Sequence, residues 1–176
     1  MKLNKIAITA IMAFGMVSAA HAGQGNGTVT FTGSIIDAPC SISPESVYQV
    51  VEFGEVTSAA LKDSGTSTPR PFQIKLQNCT FETASSVTTT FSGAESTNGL
   101  LGMTGNAKGA SIAITDGVGS IVKLGEPTAK QQLQQDNNTL SFSAYLKGDG
   151  KDSAGKDITI VPGDFQSIAD FTLAYQ

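Results

Sequence analysis

The sequence predicts an all-β sandwich, and three observations lead there. Short runs of alternating apolar and polar residues recur along the chain. Turn-rich segments separate them, drawing on 19 glycines in 176 residues. No stretch sustains the 3.6-residue period of an amphipathic helix.

Residues 1–22 are predicted to be a cleaved export signal. Lys2 and Lys5 give a positive start, Ile6 to Val17 an apolar run, and Ala20-His21-Ala22 a small-x-small cleavage site. The apolar run is shorter than the roughly 20 residues a membrane-spanning helix needs. The remaining 154 residues fit one domain and carry nine basic against 15 acidic side chains, a formal charge of −6. That balance argues against nucleic acid as a partner, because phosphate binding needs a basic face.

The signal also takes away His21, the chain's one histidine. A Ser-His-Asp or Cys-His nucleophile and histidine-ligated metal sites are therefore excluded, and no catalytic residue, metal or cofactor is expected. Cys40 and Cys79 are the two cysteines. In an exported chain oxidation is the default, so they are predicted to form one disulfide, worth about 4 kcal/mol for a loop of this size.

The elements follow in order. Gly27, Val29, Phe31, Gly33 and Ile35 share one face of a predicted strand, and Thr28, Thr30, Thr32 and Ser34 the other. Behind it lies the leader Gly23-Gln24-Gly25-Asn26, and no turn folds it back before the breaker Asp37-Ala38-Pro39. A tethered strand with an apolar face and no hairpin must find a groove elsewhere, and the reading places that groove on another copy of the chain. The domain boundaries expected are a signal at 1–22, an N-terminal donor extension at 23–36, and a body at 37–176.

Within the body, Ser34 to Ile42 is expected to carry a first strand into Cys40, and Gln49 to Gly54 a second. Phe72, Ile74 and Leu76 mark a third that ends at Cys79. Val87, Thr89 and Phe91 mark a fourth. Further strands are predicted at Ala110–Thr115, Ser120–Gly125, Thr139–Leu146 and Phe165–Gln176, where Phe171, Leu173 and Tyr175 alternate with polar or small neighbours. The intervening segments 57–70, 93–109, 126–138 and 147–157 read as turns, with one short helix over Thr128–Gln135. Gly148-Asp149-Gly150-Lys151-Asp152 lacks the acidic spacing and terminal glutamate of a calcium loop and is expected to be an exposed hairpin turn. Gly23-x-Gly25-x-Gly27 has no preceding strand and is not a dinucleotide fingerprint, and the Asn-x-Thr triplets at Asn26, Asn78 and Asn137 carry no weight.

Four features together resemble the pilins of chaperone-usher fimbriae, close to the major rod subunits of P-like and type 1-like pili. They are the segment Gly33-Ser34-Ile35-Ile36-Asp37-Ala38-Pro39-Cys40, a second cysteine after Phe72-x-Ile74-x-Leu76, the terminal strand Ala169 to Gln176 with its penultimate tyrosine, and Gly163, fourteenth from the C-terminus.

The resemblance implies a six-stranded immunoglobulin-like sandwich that lacks its seventh strand and is completed by donor-strand exchange. It makes Val29, Phe31, Gly33 and Ile35 the donor-strand residues, with Gly33 where a bulky side chain would clash. Phe171, Leu173 and Tyr175 become the acceptor groove and chaperone contact. A periplasmic chaperone, an outer-membrane usher and neighbouring copies of the chain are the implied partners, in a bacterial surface fimbria that supports adhesion. No small-molecule substrate is implied. A minor adaptor or terminator pilin is the alternative within this reading. A secreted glycan-binding adhesin and a carboxylate-pair hydrolase are the alternatives outside it. Tip adhesins of such systems carry an extra domain for which the chain has no room, and no two acidic residues form a pattern tied to a cleft.

Overall fold

The computed structural model describes residues 27–81 and 86–176, and the predicted signal at 1–22 lies outside them. The chain divides into two units between Ile35 and Ile36. In the first, residues 27–35 have no regular secondary structure.

The second unit is a sandwich of two antiparallel sheets. One has the order β1 (Ser41–Ile42), β2 (Arg70–Cys79), β7 (Asp136–Gly148), β5 (Ala110–Thr115). The other has the order β6 (Gln131–Gln132), β3 (Ser86–Gly93), β9 (Ala169–Tyr175). Two-residue strands β4 (Thr104–Gly105) and β8 (Phe165–Gln166) pair at the margin. Four strands, β1, β2, β5 and β7, thus face three, β3, β6 and β9.

Period-2 patterning decides which side chains meet between the layers. On β2 the inward residues are Phe72, Ile74 and Leu76, and on β7 they are Leu140, Phe142, Ala144 and Leu146. Their register places Phe72 opposite Phe142 and Ile74 opposite Leu140. Ile74, Leu76, Leu140 and Phe142 are almost wholly buried, as are Val87 and Phe91 from the facing sheet. Phe91 meets Phe142 edge-on at 5.0 Å between ring centroids, a favoured aromatic geometry. Cys40 and Cys79 are disulfide-bonded and buried, tying the start of β1 to the end of β2.

The predicted strands at 72–79, 87–91, 110–115 and 139–146 are present, the last extended to Asp136–Gly148. The C-terminal run is divided into β8 and β9. Other expectations are corrected. The strand expected over Ser34–Ile42 shrinks to Ser41–Ile42, because Ser41 already pairs with Gln77 and β2 ends at Cys79, so the residues before Pro39 lie past the end of that ladder; beyond Ile42, Pro44 starts a short helix, α1 (Pro44–Val47). Ser46 Oγ then takes the Lys75 N–H at 3.0 Å, occupying the donor a continuing strand would have used. Gln49–Gly54 is not assigned as a strand, since residues 50–56 have no backbone hydrogen-bond partner among the described residues.

Ser120–Gly125 forms no continuous strand: after a turn closed by the Asp116 carboxylate, Ile121 bridges Thr115 and Val122 donates to the Ile114 carbonyl, and then Gly125 turns to the other sheet and donates to the Phe91 carbonyl. Thr128–Gln135 is not helical, because the outer edge of β3 recruits it as β6, pairing Gln131 with Val87 and Gln132 with Ser86. The 3-10 stretch Ser58–Ser64 was not expected from the sequence. The expected turn at 148–152 lies further on, where Lys151 bridges Asp157. Asp149 instead accepts bonds from Ser111 Oγ at 2.6 Å and Asn98 Nδ2 at 3.0 Å.

Candidate functional site: an open sheet edge beside the C-terminal strand

Unpaired sheet edges invite association, and this fold covers most of its own. The outer edge of β5 is closed by Leu101, which exchanges two bonds with Ile112, and by Val122. The outer edge of β3 is closed by β6, by Gly125 donating to the Phe91 carbonyl, and by Thr128 donating to that of Thr89. β9 differs. It pairs with β3 on one side and with nothing on the other among the described residues.

The direction in which β9 presents its backbone follows from its last pair. Gln176 and Ser86 exchange both N–H···O bonds, at 2.9 and 3.1 Å. In an antiparallel ladder such pairs alternate with pairs whose groups point the other way. Tyr175, Leu173, Phe171 and Ala169, opposite Val87, Thr89, Phe91 and Gly93, therefore turn their N–H and C=O groups to the open side. The same four residues turn their side chains inward, where they are only half-buried against the core. Both the backbone and the apolar surface of the strand are left incomplete along one edge. Partial burial also raises the Tyr175 hydroxyl pKa above its ordinary value, since the phenolate is poorly solvated there.

The chain leading toward β9 lines a cavity of about 760 Å3. One wall is Ile160–Phe165. The other is the unpartnered segment Val51–Val56, whose half-buried Val51, Phe53 and Val56 face inward. Phe53 and Phe165 close the end, their rings 6.0 Å apart. Gly163 lies in the first wall. A Cβ there would come within 2.8 Å of the Asn106 Cβ and 2.9 Å of the Ala107 nitrogen. The close approach lets Asn106 and Ala107 both donate to the Asp164 carbonyl, at 2.9 and 3.1 Å.

The N-terminal residues singled out in the sequence have the complementary character. Val29, Phe31 and Ile35 are exposed, Phe31 at 89% and Ile35 fully, and a Cβ on Gly33 would meet nothing within 4 Å. An apolar face of this kind left in water is unusual for a soluble chain.

The structure brings Phe171, Leu173 and Tyr175 together along one edge and places Gly163 in the wall of the cavity. Ala169 belongs to the same edge, and Phe165 and residues 51–56 to the cavity; none of them was singled out as a site residue from the sequence. Ala169 continues the alternation of Phe171, Leu173 and Tyr175, so the signal was present and was missed because alanine carries little apolar weight.

The family model described as "Fimbrial protein" matches residues 29–176. The chain is 56% identical to the Fimbria A protein of Serratia marcescens, over the full length of both. It is 50% identical to the major MR/P fimbria protein of Proteus mirabilis, again over both full lengths. Among solved structures, the crystal structure of the P pilus rod subunit PapA matches with a TM-score of 0.69 and 27% identity, covering 79% of this chain and all of that one. A chaperone-usher pilus structure, described as revealing the basis of rod uncoiling, matches with a TM-score of 0.76 and 29% identity, covering 87% and 97%.

Proposed function

The chain belongs to the fimbrial protein family and is a structural pilus subunit with an immunoglobulin-like fold, not an enzyme; from that premise we propose that each copy completes the sandwich of its neighbour by donating residues 27–35 to the open edge of β9. The observation that supports this most is the coincidence on β9: the residues with half-buried inward side chains are those whose backbone groups face the vacant side.

Parity restricts the pairing. Residues directly opposite in a sheet share a face, so Val29, Phe31, Gly33 and Ile35 align with Ala169, Phe171, Leu173 and Tyr175. Antiparallel entry pairs Val29 with Tyr175, Phe31 with Leu173, Gly33 with Phe171, and Ile35 with Ala169. Large then meets small, and Ile35 arrives at the cavity end. Parallel entry sets Phe31 against Phe171 and Ile35 against Tyr175, while leaving Gly33 against Leu173. Complementary volume favours the antiparallel register, which also keeps the sheet antiparallel throughout.

Burying Val29, Phe31 and Ile35 contributes about 1.5–3 kcal/mol each, or roughly 5–9 in all. A domain's whole stability is only about 5–15 kcal/mol. The subunit alone is accordingly marginal. Donor and acceptor occupy different places on one molecule, so the contact is heterologous and propagates as an open filament. On this reading residues 1–22 direct export through the periplasm. A chaperone there covers Phe171, Leu173 and Tyr175, and an outer-membrane usher is where the neighbour's strand replaces it, as the family resemblance implies.

Deleting Gly23 to Thr32 tests the donor assignment. The expected result is a subunit still recovered with its chaperone that forms no fibres by electron microscopy. Fibres of ordinary length from the deleted chain would refute it.

A further inference from the structure

Segment 50–56 forms one wall of the groove with no ladder to hold it. Among the described residues none of its backbone groups bonds to another backbone group. One side chain reaches it: Arg70 Nη2 donates to the Phe53 carbonyl at 3.2 Å. Arg70 is the sole arginine in the sequence and opens β2, where it pairs with Ala144. Pro71 follows it, so the strand start is stiff.

Arg70 does not line the cavity that Val51 to Val56 help to line. Its guanidinium therefore approaches from outside the groove. In an extended segment the N–H and C=O of one residue project to the same side, and neighbours project oppositely. With the Phe53 carbonyl turned outward to Arg70, the backbone groups of Glu52 turn toward the groove, and so does the Gly54 N–H, which lies opposite that carbonyl across the trans peptide; Gly54 itself, at a φ of 68°, ends the extended run.

Building on the strand-donation reading above, we infer that Arg70 is a positioning residue: it fixes segment 50–56 so that Glu52 and Gly54 form the second hydrogen-bonding wall for the donated strand. A planar guanidinium suits this better than an ammonium, because its donors are held in fixed directions and it stays charged. The same contact occupies an outward carbonyl that would otherwise extend the sheet to a further chain.

Fibres of the full-length mature chain carrying Arg70→Ala or Arg70→Lys test this by amide hydrogen exchange. A charge-assisted bond to a carbonyl is lost, so exchange at Glu52 and Gly54 should quicken about tenfold with alanine and less with lysine. Amides of Phe171 and Leu173 should change far less. Unchanged exchange at Glu52 and Gly54, or an equal rise across β2 and β7, would overturn the positioning role. If alanine prevents folding, the lysine variant carries the measurement, and its matching the parent in every amide would overturn the role. Unprotected Phe171 and Leu173 amides in the parent fibre would instead remove the strand-donation reading itself, and this inference with it.

Discussion

In the antiparallel register proposed above, Gly33 is the donor position that faces Phe171. Opposite the Phe171 ring, which already packs against Phe91 at 6.4 Å, a leucine would overlap it, so Gly33→Leu should abolish fibres. Adding Phe171→Ala to the same chain should restore some assembly, whereas ordinary fibres from Gly33→Leu alone would contradict the register. Tyr175 adds a pH dependence. Its folded pKa is raised, so its contribution is whole below the ordinary tyrosine value near 10 and is lost as pH climbs through the folded pKa. Unfolding of the mature chain followed in urea should show stability falling above about pH 10, and Tyr175→Phe should flatten that decline; an unchanged slope would assign the effect elsewhere. Phe171, Leu173 and Tyr175 were legible because their alternation with polar or small neighbours identifies them, and Ala169 was not. Arg70 was not, because nothing in a sequence shows that an arginine at a strand start will reach a carbonyl 17 residues earlier.

β2, β3, β5 and β7 were legible as elements because each is paired on both sides or faces a filled core, where pattern and pairing agree. Gln49–Gly54 shows the other case. Its apolar pattern reads as a strand, and its half-buried Val51 and Phe53 follow that pattern, yet no ladder forms among the described residues; on the strand-donation proposal its partner is the strand of a neighbouring copy. Thr128–Gln135 failed for the opposite reason: its residues favour helix weakly, and the bare edge of β3 outweighed that preference by taking Gln131 and Gln132. The disulfide acts at this scale too. It closes a loop of 39 residues at the point where the body begins, and replacing Cys40 and Cys79 by serine should lower stability by about 4 kcal/mol in urea unfolding. A loss under 1 kcal/mol would mean that β1 and β2 are held by their pairing alone.

At the scale of the whole molecule, the sandwich covers the edges of β5 and β3 but leaves β9 open, and the N-terminal unit has an apolar alternation at Val29, Phe31 and Ile35 that is itself exposed. On the strand-donation proposal each feature answers the other. Polymerisation was legible in the sequence through the N-terminal alternation and the C-terminal strand; the open edge of β9 was not, because it depends on which backbone groups the fold leaves facing outward.

The most direct test is a cysteine cross-link. Antiparallel entry sets Thr30 beside Ala174 in a pair whose backbone groups point away from each other, the close-approach geometry near 4.5 Å between Cα atoms that suits a disulfide. Oxidised fibres of a Thr30→Cys, Ala174→Cys chain should migrate as a ladder of covalent multimers on non-reducing gels, while Thr30→Cys with Asp170→Cys should not. A link confined to single chains, or a ladder only from the Asp170 pair, would contradict strand donation between neighbours in this register.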